Sequence, residues 1–217
     1  MFNLNCKKLF IIATLCTILF LLSCAGSKYL YKDPSFKEPI PVAVLPFENQ
    51  TTDIGAAELA RLFFVIGMAE KGYTVLEYSK TDSILMSLGL TDGGQLPSIS
   101  PEELHKELGV QGLLYGTLID AQYSTYGISK KRKATIKIKL LQNGTRVWEN
   151  QVSKSESGLG NILNPLAGLV EQVVDKAFEK AFAKYHGHPL EPVIEKAVYK
   201  LQDKMPGKRK VTSGWNK

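Results

Sequence analysis

The sequence predicts an α/β protein: a compact mixed β-sheet with flanking helices, followed by carboxy-terminal helices. Three observations predict it. Val42-Ala43-Val44-Leu45 is a short, wholly apolar run closed by Pro46, which suits a strand buried on both faces. Helical and strand patterns then alternate as far as Ile119. The stretch 134–152 reads as an antiparallel hairpin about Asn143-Gly144. Alternation followed by a meander is the pattern of a mixed sheet with helices packed on it. At 217 residues, 44% hydrophobic and 22% charged, the chain has globular composition and the length of one or two domains.

The first element is a targeting segment, 1–23. Lys7 and Lys8 give a positive start, and Leu9 to Leu22 form an apolar run. As a helix that run reaches only ~21 Å, short of the ~30 Å hydrocarbon core, so a permanent span is the weaker reading. Cys6 and Cys16 lie within the segment, which leaves Cys24 as the one cysteine of a mature chain and excludes an intramolecular disulfide. Leu21-Leu22-Ser23-Cys24 resembles the bacterial lipobox. The resemblance implies signal cleavage between Ser23 and Cys24. It also implies diacylglycerol on the Cys24 sulfur and an N-acyl chain, palmitate in type, on the new amine. Two or more chains anchor a protein stably. Ala25 stands where an aspartate would mark inner-membrane retention, so the same resemblance points to the outer membrane, with the body facing the periplasm.

Gly26 to Pro41, with Pro34, Pro39 and Pro41, reads as an extended tether. After the strand at Val42, Thr51-Thr52-Asp53 offers caps for a helix over 54–71. Leu62-Phe63-Phe64-Val65-Ile66 makes this helix apolar most of the way round, so it is either buried or meets another chain. Gly72 fits its C-terminal stop, and Tyr73 to Tyr78 reads as a second strand. A short helix follows at Thr81 to Leu88, then a Gly-rich turn at 91–94. Ser100-Pro101-Glu102-Glu103 reads as a capping box opening a helix that Gly109 ends. A strand is expected at Leu113 to Ile119. In the hairpin, Ile136, Ile138 and Leu140 should face inward and Lys137 and Lys139 outward. From Asn164-Pro165 an amphipathic helix runs through Phe178 and Phe182, and a shorter one spans Leu190 to Lys204. The chain thus divides into a signal peptide (1–23), a lipidated cysteine and tether (24–41), an α/β domain (42–158), carboxy-terminal helices (159–205) and a basic tail (206–217).

The search for chemistry points away from an enzyme. His186 and His188 form an HxH with no ligands patterned around them, and read as a polar linker. His105 lies in no HExxH motif and reads as a helix-surface residue. No GxSxG elbow or phosphate-binding glycine loop occurs. The formal charge of +6 falls to +4 once the signal is lost. Lys130-Lys131-Arg132-Lys133 and the tail carry much of the excess. They read as solvated loop and tail, with lipid headgroups as the other option; a periplasmic address excludes nucleic acid. Tyr115, Tyr123 and Tyr126 form an aromatic cluster suited to sheet packing or to a binding surface.

The segments VAVLPFENQT, GYTVLEYS, GLTDGGQLPSISPEELHKELGVQGLLYGTL and LLQNGTRVWENQ resemble a family of bacterial lipoproteins typified by a neisserial vaccine-candidate lipoprotein. The likeness runs from about Tyr29 to Val152 and includes the Gly-His-Pro region near 187; the basic run Ser129 to Lys133 departs from the family pattern. The resemblance implies a fold similar to the amino-terminal domain of TolB and to the curli-secretion lipoprotein CsgG. The function expected is a non-catalytic, lipid-anchored periplasmic scaffold or accessory subunit of an outer-membrane export or envelope-assembly complex. The alternative is a lipid- or glycan-binding carrier. Expected partners are the envelope membrane, CsgG-like or other envelope lipoproteins, and further copies of the chain. Expected interface residues are Phe63, Phe64, Val65, Ile66, Tyr123 and Tyr126. No metal and no cofactor beyond the Cys24 lipid are expected.

Overall fold

The computed structural model describes residues 30–33, 41–127, 129–157 and 175–206. Cys24, Ser23, the signal segment, the basic tail from 207, and the first part of the helix expected from Asn164 lie outside the described residues.

In chain order the elements are β1 (Leu30–Lys32), β2 (Val42–Val44), β3 (Glu48–Asn49), α1 (Ala56–Glu70), α2 (Tyr78–Ser87), a 3-10 helix (Gly93–Ser98), α3 (Pro101–Leu108), β4 (Gly112–Tyr126), β5 (Ser129–Gln142), β6 (Thr145–Ser157), α4 (Lys176–Tyr185) and α5 (Glu191–Lys204). They build one mixed sheet of six strands in the order β1-β6-β5-β4-β2, with β3 following β2 along the same edge of β4. β2 and β3 run parallel to β4, and the other pairs are antiparallel. This is the expected α/β architecture.

The apolar run at Val42 is buried on both faces for the reason its sequence suggested. Val42 and Val44 join one core with Leu114, Ile136, Ile138 and Leu140, under α1, α4 and α5. Ala43 and Leu45 join a second core with Leu85, Leu104, Leu108 and Leu113, under α2 and α3. Phe178, Val193 and Leu201 belong to the first core as well, so the carboxy-terminal helices are part of the same folded unit as the sheet.

Turn chemistry fixes the β5–β6 hairpin. Asn143 and Gly144 both have positive φ, 48° and 78°, as a type I′ turn requires. Ile136, Ile138 and Leu140 are fully buried, while Lys137 and Lys139 lie on the opposite face. Ser100 caps α3 by accepting the Glu103 N–H at 3.1 Å, with Pro101 at the first turn and Gly109 in the left-handed conformation at the end. The reciprocal capping box belongs to Asp92 and Gln95, at the start of the 3-10 helix.

Several expectations are corrected. Leu30–Lys32, expected within the tether, is an edge strand pairing β6. Tyr73 to Tyr78 forms no strand beyond one bridge, Val42 to Val75, and Tyr78 already starts α2. β4 continues to Tyr126 and β5 begins at Ser129, so the basic run is strand rather than loop, and Arg132 is buried. The helix expected to run unbroken from Asn164 has its described start at Lys176. There Asp175 is extended and accepts the Phe178 N–H at 2.7 Å. Among the described residues no helix is long and apolar enough to cross a membrane.

Candidate functional site

Phe63, Phe64, Val65 and Ile66 do not form an exposed interface. Each is buried, because α5 covers the flank of α1 that looked unpartnered in the sequence. Phe63 meets Phe182 edge-on at 6.0 Å, Phe64 packs on Phe47 at 5.8 Å, and the Gln202 side chain donates to the Phe63 carbonyl at 3.0 Å. Tyr123 and Tyr126 are exposed on β4, 43% and 67% respectively. Arg132 lies over the Tyr123 ring at 5.9 Å and Lys131 over Tyr126 at 5.7 Å. Tyr115 sits apart from them at the covered end of β4, half-buried beneath Lys139; burial, then Glu102, pushes its hydroxyl up to about 12.

The largest polar constellation centres on Arg61, the one cation inside the apolar helix α1. Its guanidinium is 2% exposed and donates to Asp82 at 2.5 Å, to Glu58 at 3.4 Å and to the Val44 carbonyl at 3.2 Å. The Tyr78 hydroxyl donates to Glu58 at 2.8 Å, and its ring lies 4.5 Å from the guanidinium. Burial alone would lower the Arg61 pKa, but Glu58 and Asp82 outweigh it and hold the group above its ordinary value. Burial and then Glu58 hold Tyr78 protonated well above the usual phenol range. Of these groups, Glu58 and Tyr78 line a cleft of about 670 Å³ beyond the carboxyl end of β2, with Arg61 buried behind them. Phe47 and Ile54 give it apolar walls, and Lys180 and Lys184, one turn apart on α4, give it a basic rim. Ligand clefts of open α/β sheets lie at this end of the strands. Sequence reading passed over Arg61; the one cation in a helix otherwise apolar apart from Glu58 and Glu70 was the available signal, since burial demands a partner for it.

The histidines serve as ties between elements. His105 accepts the Gly144 N–H on Nε2 at 3.1 Å, so its Nδ1 carries the proton toward the Val110 carbonyl at 3.0 Å. It therefore docks the β5–β6 turn on α3 and is more than a helix-surface residue. His188 accepts the Leu190 N–H on Nδ1 and faces Asp53 through Nε2 at 3.1 Å. Asp53 in turn accepts the N–H groups of Gly55 and Ala56 and caps α1. His186 meets the buried Glu191 at 2.9 Å. Among the described residues no cluster of three His, Cys, Asp or Glu could hold a metal ion.

The model of the family described as "Putative lipoprotein GNA1162-like" matches residues 30–195. A relative described as "Putative lipoprotein NMB1124/NMB1162", from Neisseria meningitidis serogroup B, is 26% identical over 146 residues, 65% of this chain and 68% of its own. Two solved structures share the fold. Lipoprotein GNA1162 from Neisseria meningitidis gives a TM-score of 0.52 at 22% identity, over 58% of this chain and 88% of its own. The PelC dodecamer from Paraburkholderia phytofirmans gives 0.50 at 13% identity, over 84% of this chain and 99% of its own.

Proposed function

The chain belongs to the GNA1162-like lipoprotein family, and on that premise we propose that it is a membrane-apposed, lipid-anchored scaffold or accessory subunit of an envelope complex. Cys24 carries the diacylglycerol and N-acyl lipid after cleavage at Ser23, and the body faces the periplasm from the outer membrane. Its partners are envelope lipoproteins, other copies of this chain among them. The fold it shares with a protein described as a dodecamer supports that last point. The signal peptide spans 1–23 and is lost on cleavage. The body begins at Leu30, and the helices to 205 belong to it.

The observation that carries this reading is the edge strand β1. Cys24 stands six positions before Leu30, and a six-residue link spans at most ~20 Å. An acyl anchor at Cys24 therefore holds the body against the bilayer. In-cell crosslinking with mass spectrometry on the native lipoprotein tests the scaffold reading. Reproducible crosslinks to envelope proteins or between copies are expected; purely intramolecular links on a monodisperse monomer would overturn it. Palmitate labelling should vanish in Cys24→Ala, and labelling that persists would overturn the anchor.

A second reading, a lipid or glycan carrier, is favoured by one feature, the cleft with its apolar walls and the basic rim of Lys180 and Lys184. It requires a small acidic amphiphile to co-purify after gentle extraction and to be lost in Lys180→Glu/Lys184→Glu.

A further inference from the structure

We infer that the end of the molecule formed by the β4–β5 hairpin tip and the 51–55 turn rests on a phospholipid surface carrying anionic headgroups. The inference rests on the anchored reading above and adds an orientation to it.

Three observations converge. The first is direction. β1 is antiparallel to β6, with Leu30 opposite Asn150 and Lys32 opposite Trp148. Followed backwards, β1 therefore points from Leu30 toward the carboxyl end of β6. That end is Ser157, which pairs with Lys131 beside the hairpin tip. From Asn150 to Ser157 the strand advances ~24 Å and six residues can span ~20 Å, so Cys24 can come within about one residue of the level of Ser157.

The second is apolar exposure. The large hydrophobic side chains standing exposed among the described residues are Ile54, Met86, Tyr123 and Tyr126, and all but Met86 lie at this end. Ile54, 89% exposed, belongs to the turn that Asp53 fastens to His188. The loop of His188 accepts a hydrogen bond from Arg132 on its Pro189 carbonyl at 2.7 Å, and Arg132 pairs across the sheet with Tyr123. Tyrosines suit the headgroup layer, where the ring is buried and the hydroxyl stays wet.

The third is charge. Between Ala121 and Ala134 the hairpin carries Lys130, Lys131, Arg132 and Lys133 and no acidic residue. Lys133 is held by Asp120 at 2.8 Å and Arg132 by the Pro189 carbonyl, which leaves Lys130, part-exposed, and Lys131, exposed at the tip, to meet headgroups. Surface lysines are drawn to anionic leaflets over about a Debye length, which is the range of the tip.

The test uses the full-length lipidated protein in vesicles of phosphatidylcholine with or without phosphatidylglycerol. Once Cys24 is acylated, Ser129→Cys offers a single thiol for an environment-sensitive fluorophore, and Met86→Cys serves as the distal control. Brominated lipid should quench the Ser129 label and spare the Met86 label. Quenching should fall about fivefold in Lys131→Gln or on removing phosphatidylglycerol, the loss expected for one lysine at an anionic surface. Tyr126→Ser should weaken it independently. An unquenched tip on protein that co-floats with vesicles overturns the orientation alone. Failure to co-float overturns the anchored reading and this one together. Tip burial that follows protein density instead of anionic lipid assigns the end to a second copy and overturns the lipid contact.

Discussion

Strand β5 takes part in two hairpins, and they behave as opposites. At one end Asn143-Gly144 turns β5 into β6 and is tied down on all sides. Asn143 donates its N–H to the Gln111 carbonyl at 3.1 Å, Gly144 donates to His105, and Trp148 is fully buried behind the turn. At the other end, Gly127, also left-handed at φ 58°, turns β4 into β5 with nothing within 4 Å of where a side chain would start. The first hairpin closes a core; the second reaches past it. One strand thus has a structural end and a presenting end, and exposed aromatics gather only at the latter.

The largest test of that contrast is Trp148→Ala, which should remove about 3–5 kcal/mol of stability by opening a cavity at the docked hairpin. Chemical denaturation would show it, and a loss under 1 kcal/mol would mean that this end is not core. Next is Glu195, on α5 beside Glu156 and Glu191 near the presenting end. Burial first, then Glu191, raises its pKa to about 8 from an ordinary value of 4.5. A raised carboxyl contributes stability that is complete below about pH 4.5 and is lost as pH climbs through 8. Glu195→Gln holds the neutral form, so its advantage over the parent should grow between pH 5 and 9. It should reach ~2 kcal/mol once partial solvent access is allowed for. A pH-independent difference would refute the protonated carboxyl.

His105→Ala should cost about 1 kcal/mol by leaving the Gly144 N–H without its acceptor, and amide exchange at Gly144 should rise with it. Smallest is Tyr126→Ala, expected within ~0.5 kcal/mol of the parent in thermal melts. A large destabilisation there would erase the contrast between the two ends.

The same contrast explains what the sequence could tell. Asn143-Gly144 and the alternation through Ile136, Ile138 and Leu140 are local signals backed by a buried face, and both were legible. The outer part of β4, Gln122 to Tyr126, lies past Ala121, the last residue of the strand that packs on the core, so no hydrophobic period marks it as strand. The α1 run at Phe63 was correctly seen as too apolar for a surface. Its cover, Gln202 and Leu201, comes from a helix far along the chain, and one sequence does not show such partners. The Arg61 cluster is similar: Glu58 is local, but Asp82 and Tyr78 arrive from the next helix. Exposure of Tyr123 and Tyr126 at a common end with Ile54 is a property of topology, invisible until the strands are paired.

The contact of Gln202 with α1 has a consequence for how the protein is made. A side chain added at Gly67 would collide with the Gln202 amide, and beyond the end of α5 the Met205 and Pro206 carbonyls accept hydrogen bonds from Lys71 and Tyr73. The last described helix therefore seals the first one, across most of the chain's length. Such long-range closure is slow and comes late. A polypeptide that emerges amino end first cannot complete this core until residues near 205 are out, so α1 waits for its cover until the chain is nearly finished.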